Sequence, residues 1–281
     1  MDRDWGFCWL DGFFHRENET PFDARLFSTG ILVREEVRTK GTRMAFFLEH
    51  YESLRSRLSL LHISLQEIMS LEEMQRQAVN LINKNRYFGG NNLRITIIHE
   101  PGQDLGMNHC LMECIALEHP GYVLNRKGYV LGLYDDVNIP LDRLTGKFAR
   151  PPLPDLFARR YMRSRKLDDC ILFNQKGHIT SSINSTVFFR IKDEIHTPPL
   201  KDGSPLSVMR DQVIRLLSAA GDPVDDETSL RALDIEKAEE IFLSNTLDGI
   251  RWVVAVDRFR YYNHTGVMLT SQLNEQAFGS A

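Results

Sequence analysis

Lys166-Leu167-Asp168-Asp169-Cys170-Ile171-Leu172-Phe173-Asn174 runs into a turn at Gly177, followed by Val187-Phe188-Phe189 and then Ile195-His196-Thr197-Pro198-Pro199-Leu200. The apolar runs 170–173 and 187–189 are short and bounded by polar residues, which predicts two buried strands joined through Gly177. Thr197-Pro198-Pro199-Leu200 fixes a turn, and Ser207-Val208-Met209-Arg210 opens a helix over 208–220 that Gly221 ends. The first amides of a helix lack partners within it and lie at the positive end of its dipole, so this start can hold a phosphate. Ser244-Asn245-Thr246, after the strand-like Ile241-Phe242-Leu243, offers hydroxyls that can converge on the same group. The plain alternative is a helix start that binds nothing.

Working outward, strands and helices alternate. Residues 129–134 and 252–256 read as strands, 156–165 as a basic helix, and a final helix from Gly266 carries Leu269, Leu273 and Phe278. Earlier in the chain, Phe7-Cys8-Trp9-Leu10 and Phe13-Phe14 flank Asp11-Gly12, a hairpin turn signal. Ile31-Leu32-Val33 predicts a strand. Phe46, Phe47, Tyr51, Leu54, Leu58 and Leu61 recur at helical spacing over 44–61. Ser70-Leu71-Glu72-Glu73 is a capping box opening a second helix, with Leu71, Met74, Ala78, Leu81 and Ile82 on one face and Gly89-Gly90 closing it. Residues 93–99 and 110–117 predict strands. His119-Pro120-Gly121 is the expected boundary between a smaller α+β domain, 1–118, and a larger α/β domain, 119–281.

The chain has 281 residues, with 34 Lys and Arg against 38 Asp and Glu and a net charge of −4. That balance, with no basic block, argues against a dedicated nucleic-acid binder. Met1-Asp2-Arg3-Asp4-Trp5 lacks the basic start of a signal peptide, and no run reaches the roughly 18 apolar residues of a membrane helix, so a cytoplasmic protein is expected. Cys8, Cys110, Cys114 and Cys170 are too scattered for a disulfide framework. His109, Cys110, Cys114 and His119 are possible metal ligands, but a strand there puts both cysteines on one face and His109 on the other. Packing is the expected role, and no metal site is expected.

The order and spacing of these segments resemble the fold-type IV (class IV) pyridoxal-phosphate enzymes, which include branched-chain and D-amino-acid aminotransferases and aminodeoxychorismate lyase. The likeness covers nearly the whole chain. It begins with the hairpin 7–14 and the run Phe27-Ser28-Thr29-Gly30-Ile31-Leu32-Val33. It continues through Leu48-Glu49-His50 and Leu54, the stretch quoted at the outset, Arg210-Asp211-Gln212-Val213-Ile214, and Ala238-Glu239-Glu240-Ile241-Phe242-Leu243-Ser244-Asn245-Thr246. The resemblance implies a two-domain α/β fold, a homodimer, and pyridoxal 5′-phosphate held between the domains. It implies a catalytic lysine that forms an aldimine with the cofactor and shuttles the α-proton of an amino-acid-type substrate. Lys147, 21 residues before Asp168, is the matching residue; the alternative is a loop lysine in Thr145-Gly146-Lys147. Arg34 and Arg94 lie near where the family places substrate-facing side chains, with a solvated arginine as the alternative for each.

The chain departs from the family at several anchors. Ser53 stands where the family has its phosphate-binding arginine, three residues after His50; Arg55 and Arg57 point elsewhere on a helix that turns about 100° per residue. Ser181 stands where a glutamate pairs with the pyridine nitrogen, and a hydroxyl cannot hold that nitrogen protonated as a carboxylate does. Thr186 replaces an asparagine, and Ser207 replaces the glycine that opens the phosphate-binding helix. What persists is the backbone at Val208 and Met209 and the hydroxyl of Thr246. Two readings follow: a divergent pyridoxal-phosphate aminotransferase or lyase working through Lys147, or a degenerate relative with weak or no cofactor binding that serves as a binding or partner protein. An unrelated two-domain α/β protein is a third.

Overall fold

A computed structural model describes residues 6–19, 30–100, 106–150 and 152–279. Met1-Asp2-Arg3-Asp4-Trp5, quoted for the missing basic start, and Phe27-Ser28-Thr29, quoted for the family likeness, lie outside the described residues. The chain divides into two compact units, one holding residues through Gly121 together with those from Gln276, the other Tyr122–Glu275.

In the first unit, β1 (Phe7–Leu10) and β2 (Phe13–Arg16) form the expected hairpin. Asp11 and Gly12 have φ of 46° and 100°, left-handed at both central positions, as a two-residue hairpin loop of this kind requires. Then come β3 (Ile31–Lys40), β4 (Arg43–Met44), α1 (Phe47–Ser59), α2 (Leu65–Ile68), α3 (Leu71–Asn85), β5 (Gly90–Glu100) and β6 (Met107–Leu117). The strands make an antiparallel sheet in the order β2-β1-β6-β5-β3-β4. Val33, Val37, Leu93, Ile95 and Ile97 share one face of β3 and β5 by strict alternation, and all are buried. Helices α1 and α3 cover the sheet and bury Leu54, Leu58, Met74, Ala78, Leu81 and Ile82.

Half of the expected capping box at α3 is present. Ser70 Oγ accepts from the Glu73 amide at 3.2 Å, while the Glu73 carboxylate turns to Arg76 and Gln77. The helix does not end on Gly89-Gly90. Arg86 takes the left-handed position, φ 56°, and its amide bonds the carbonyls of Ile82 and Asn83. The turn must come directly after the last helical residue, three positions before the glycines, and Gly90 instead begins β5. Replacing Ser70 with alanine should cost about 1 kcal/mol, the usual value of an N-cap oxygen. Urea unfolding measures it, and an unchanged midpoint would show that water replaces the hydroxyl.

In the second unit the elements are β7 (Tyr129–Ile139), α4 (Pro152–Ser164), β8 (Asp169–Asn174), β9 (Ile179–Ser182), β10 (Thr186–Ile191), β11 (Glu194–His196), α5 (Val208–Ala219), β12 (Val224–Asp225), α6 (Ala232–Lys237), β13 (Glu240–Asn245), β14 (Gly249–Val256), β15 (Phe259–Arg260) and α7 (Gly266–Phe278), whose residues from Gln276 belong to the first unit. The sheet order is β12-β11-β10-β13-β14-β7-β8-β9, with β15 on β14. β7 pairs parallel to β14 and β8, so β7-α4-β8 is a βαβ crossover unit. The link expected between strands 170–173 and 187–189 is not a plain turn. Gly177 leads into β9, whose Ile179-Thr180-Ser181-Ser182 is too polar to read as a strand yet is fully buried.

Burial on both faces explains the near-continuous apolar runs of β10 and β13. Phe188 and Phe242 are cross-strand partners whose rings stack 5.0 Å apart and 3° from parallel. On the opposite face Val187, Phe189, Ile241 and Leu243 join a second cluster with Leu131, Ile171 and Val253. Leu269, Leu273 and Phe278 are buried along α7, as expected. Among the described residues no helix is long and apolar enough to cross a membrane.

Candidate functional site

Lys147 lies in the turn that follows β7, and the turn is built by one carboxylate. Asp142 Oδ1 accepts from the amides of Leu144 and Thr145 at 2.7 and 2.8 Å, and these bonds hold its pKa below the ordinary value. Gly146 then takes φ 78°, and the Lys147 amide closes on the Leu144 carbonyl at 3.0 Å. The Gly146 carbonyl accepts from the Leu206 amide at 2.8 Å, one residue before Ser207. The turn carrying Lys147 is thus bonded directly to the segment that enters α5. The Lys147 side chain is half-buried and has no hydrogen bond or ion pair among the described residues.

Ser207 is the N-cap of α5, and its Oγ accepts from the Arg210 amide at 3.4 Å. That engagement leaves Val208 and Met209 as the open amides of the first turn. Both residues are buried. Thr246 stands just beyond β13, in a turn that Asn245 Oδ1 fixes by accepting from the amides of Leu247 and Asp248. Among the described residues the nearby Ser244 hydroxyl is buried with no hydrogen-bond partner, and so is that of Ser204 on the approach to α5.

Ser181 sits on β9, 1% exposed. It donates its hydrogen to the Ser182 carbonyl at 2.7 Å, and its oxygen accepts from Arg150 Nη1 at 2.9 Å. Arg150 also faces Asp155 from Nε at 3.2 Å and donates from Nη2 to the Ile183 carbonyl. Burial pulls the Arg150 pKa down, and the charges of Asp155 and Asp169 oppose that shift. Asp169, also buried, accepts from Ser182 Oγ at 2.8 Å and from the amides of Cys170 and Ile183. Burial pushes its pKa up against those bonds. Sequence reading missed Arg150, whose partner Ser181 is 31 residues away.

Arg34 and Arg94 belong to the first unit. Arg34 is exposed and donates from Nε to Thr96 Oγ1 at 3.2 Å. Arg94 lies between two carboxylates, 3.3 Å from Glu36 and 3.9 Å from Glu113. On the other face of β3, Glu35 meets α1. Its carboxylate accepts from Ser53 Oγ at 2.7 Å, lies 2.8 Å from His50 Nδ1, and pairs with Arg57. Burial pushes its pKa up, but His50, Arg57 and Ser53 overcome that and hold it below the ordinary value. The helix position expected to lack its arginine is therefore filled by a carboxylate and its donors.

In the cysteine and histidine run, both cysteines pack in the interior and His109 joins a turn. Cys110 and Cys114 are each 2% exposed, and burial pushes the Cys114 thiol up to about 12. His109 Nδ1 lies 2.6 Å from Asp11 Oδ2, on the hairpin turn.

The family model described as amino-transferase class IV matches residues 32–256. A Thermotoga maritima protein named as a probable branched-chain-amino-acid aminotransferase is 22% identical over 286 residues, covering 95% of this chain and 93% of its own length. The branched-chain aminotransferase of Thermoproteus uzoniensis, solved with norvaline, superposes with a TM-score of 0.82 at 18% identity, covering 96% of this chain and 94% of that one. The branched-chain amino acid aminotransferase of Thermobaculum terrenum in its PLP form gives 0.82 at 17% identity, covering 98% and 94%. A Legionella pneumophila protein named as a 4-amino-4-deoxychorismate lyase gives 0.80 at 21% identity, covering 92% and 97%. The two-sheet α/β architecture is the one these structures share.

Proposed function

The chain belongs to the class IV aminotransferase family, and from that premise we propose that it binds pyridoxal 5′-phosphate and acts through Lys147 on an amino-acid-type substrate, as a transaminase or a lyase. The observation that carries this reading is the bond from the Leu206 amide to the Gly146 carbonyl, which ties the Lys147 turn to the start of α5.

The donor set fits the cofactor at two of its ends. Val208 and Met209 amides, the Thr246 hydroxyl and the unpartnered Ser244 hydroxyl suit a phosphate. Lys147, without an acidic partner, suits an aldehyde. Ser207 would contribute through its cap, which aims the first turn, and Ser181, matched to the family's ring-nitrogen position, would face the ring. Bound pyridoxal phosphate supplies an electron-withdrawing ring and a reactive aldehyde. The chain's own part is to hold the phosphate on fixed dipoles and to move a proton at the substrate's α-carbon through Lys147 Nζ. Arg34, bound among the described residues only to a neutral hydroxyl, is the better candidate for a substrate carboxylate; Arg94 is already neutralised by Glu36 and Glu113. A homodimer is proposed on the family likeness.

The second reading, a relative that has lost much of its cofactor affinity, is favoured by Glu35 bonded to Ser53. Losing one charge-assisted phosphate contact costs about 1.5–3 kcal/mol, or roughly 10- to 150-fold in affinity. A visible spectrum separates the two. Protein mixed with pyridoxal phosphate should develop an absorption band that Lys147→Ala removes, and a screen of amino donors then distinguishes transaminase from lyase. No band at saturating cofactor leaves the second reading standing.

A further inference from the structure

Arg150 is a half-buried cation, its side chain 15% exposed, that the proposed chemistry does not use. It lies on Ser181, at the position matched to a ring-nitrogen carboxylate in the family. We infer that Arg150 sets the charge at that end of the site, so that the ring nitrogen of bound cofactor stays unprotonated. This rests on the proposed cofactor reading and on its placing of Ser181 toward the ring.

A protonated ring nitrogen is a donor and a cation, and it needs an acceptor, ideally an anion, beside it. Ser181 supplies a neutral oxygen already accepting from Arg150 Nη1, and its only hydrogen is spent on the Ser182 carbonyl. The two nearby carboxylates are occupied: Asp155 faces Arg150 Nε, and Asp169 holds Ser182 Oγ with the amides of Cys170 and Ile183. The other local cation, Arg159, donates to Asn184 Oδ1 at 2.6 Å. Position 181 therefore presents the ring with a hydroxyl backed by a guanidinium that remains charged at any working pH. Asp155 balances part of the Arg150 charge, but it is turned to the guanidinium and leaves position 181 with no free anion to stabilise a protonated nitrogen. An unprotonated ring withdraws electrons less strongly, which favours substrates whose α-proton is already acidic.

The test uses the full chain loaded with pyridoxal phosphate labelled with ¹⁵N in the ring, read by both the visible band and the ring-nitrogen chemical shift. The expected result is a band with an unprotonated pyridine resonance across the neutral pH range. Ser181→Ala, which keeps Arg150, should leave that resonance in place. Ser181→Glu, which brings a carboxylate to the ring, should move it toward pyridinium. A band with a pyridinium resonance in the unaltered protein overturns the inference while the cofactor reading stands. So does an unmoved resonance in a folded, loaded Ser181→Glu protein, because position 181 would then not face the nitrogen. Absence of any band overturns the cofactor reading and the inference with it.

Discussion

Glu35→Ala should destabilise the first unit by about 3–5 kcal/mol, the usual cost of removing one partner from a buried charged cluster. The carboxylate accepts from Ser53, pairs with Arg57 and lies 2.8 Å from a His50 that is 2% exposed. Its removal takes the counter-charge from a guanidinium 12% exposed, which keeps the Arg34 carbonyl at 3.0 Å as an acceptor, and leaves the Ser53 hydroxyl without the acceptor it has now. Glu52→Ala is the control. Its pair with Arg55 sits on the surface of α1, three residues apart, and should change stability by less than about 0.5 kcal/mol.

The same residue gives the pH dependence. The folded Glu35 pKa lies below its reference value of 4.5, so its contribution is present above that value and lost as pH falls through the folded pKa. Unfolding free energy should therefore drop on acidification more steeply in the unaltered protein than in Glu35→Ala. Parallel profiles would show that His50 and Arg57 do not stabilise the carboxylate.

Elements whose residues repeat at a fixed period were legible from sequence. The 3.6-residue spacing of Tyr51, Leu54 and Leu58 and the Asp11-Gly12 turn are local signals, and the helix and hairpin formed where expected. The left-handed end of α3 at Arg86 was not legible, because the side chain gives no sign of the conformation that packing imposes on it. β9 escaped for a related reason. Its Ser181 and Ser182 are buried by long-range hydrogen bonds to Arg150 and Asp169, and hydropathy sees only their polarity.

The candidate site divides the same way. Ser207 as the start of a helix was readable locally. The placement of Lys147 beside that helix was not, since it depends on a backbone bond between positions 146 and 206. Missing residues were visible as departures, such as Ser53 and Ser181, but what replaced them was invisible. Glu35 and Arg57 are 22 residues apart in sequence, and only folding brings them to one carboxylate.

Gly146→Ala should do more damage than any other single methyl addition near the site. At φ 78° an alanine is strained by about 1–2 kcal/mol wherever it stands. Here its Cβ would also overlap the Ser204 carbonyl oxygen, on the irregular segment that leads through Pro205 to Leu206 and Ser207. Relief requires the turn to move away, stretching the bond from the Leu206 amide and displacing Lys147 relative to α5. Gly221→Ala carries the first effect alone: its φ is 87° and nothing lies within 4 Å of the added carbon. Both variants should lose the backbone term, and only Gly146→Ala should also lose the docking of the turn. The expected thermal midpoints are about 2–6 °C below the parent for Gly221→Ala and clearly lower again for Gly146→Ala. Displacing a reacting group by about 1 Å costs on the order of 100-fold in rate, so any activity dependent on Lys147 should fall at least that far in the folded Gly146→Ala protein. Equal losses of stability in the two variants, with activity unchanged, would mean that the bond between positions 146 and 206 does not position the lysine.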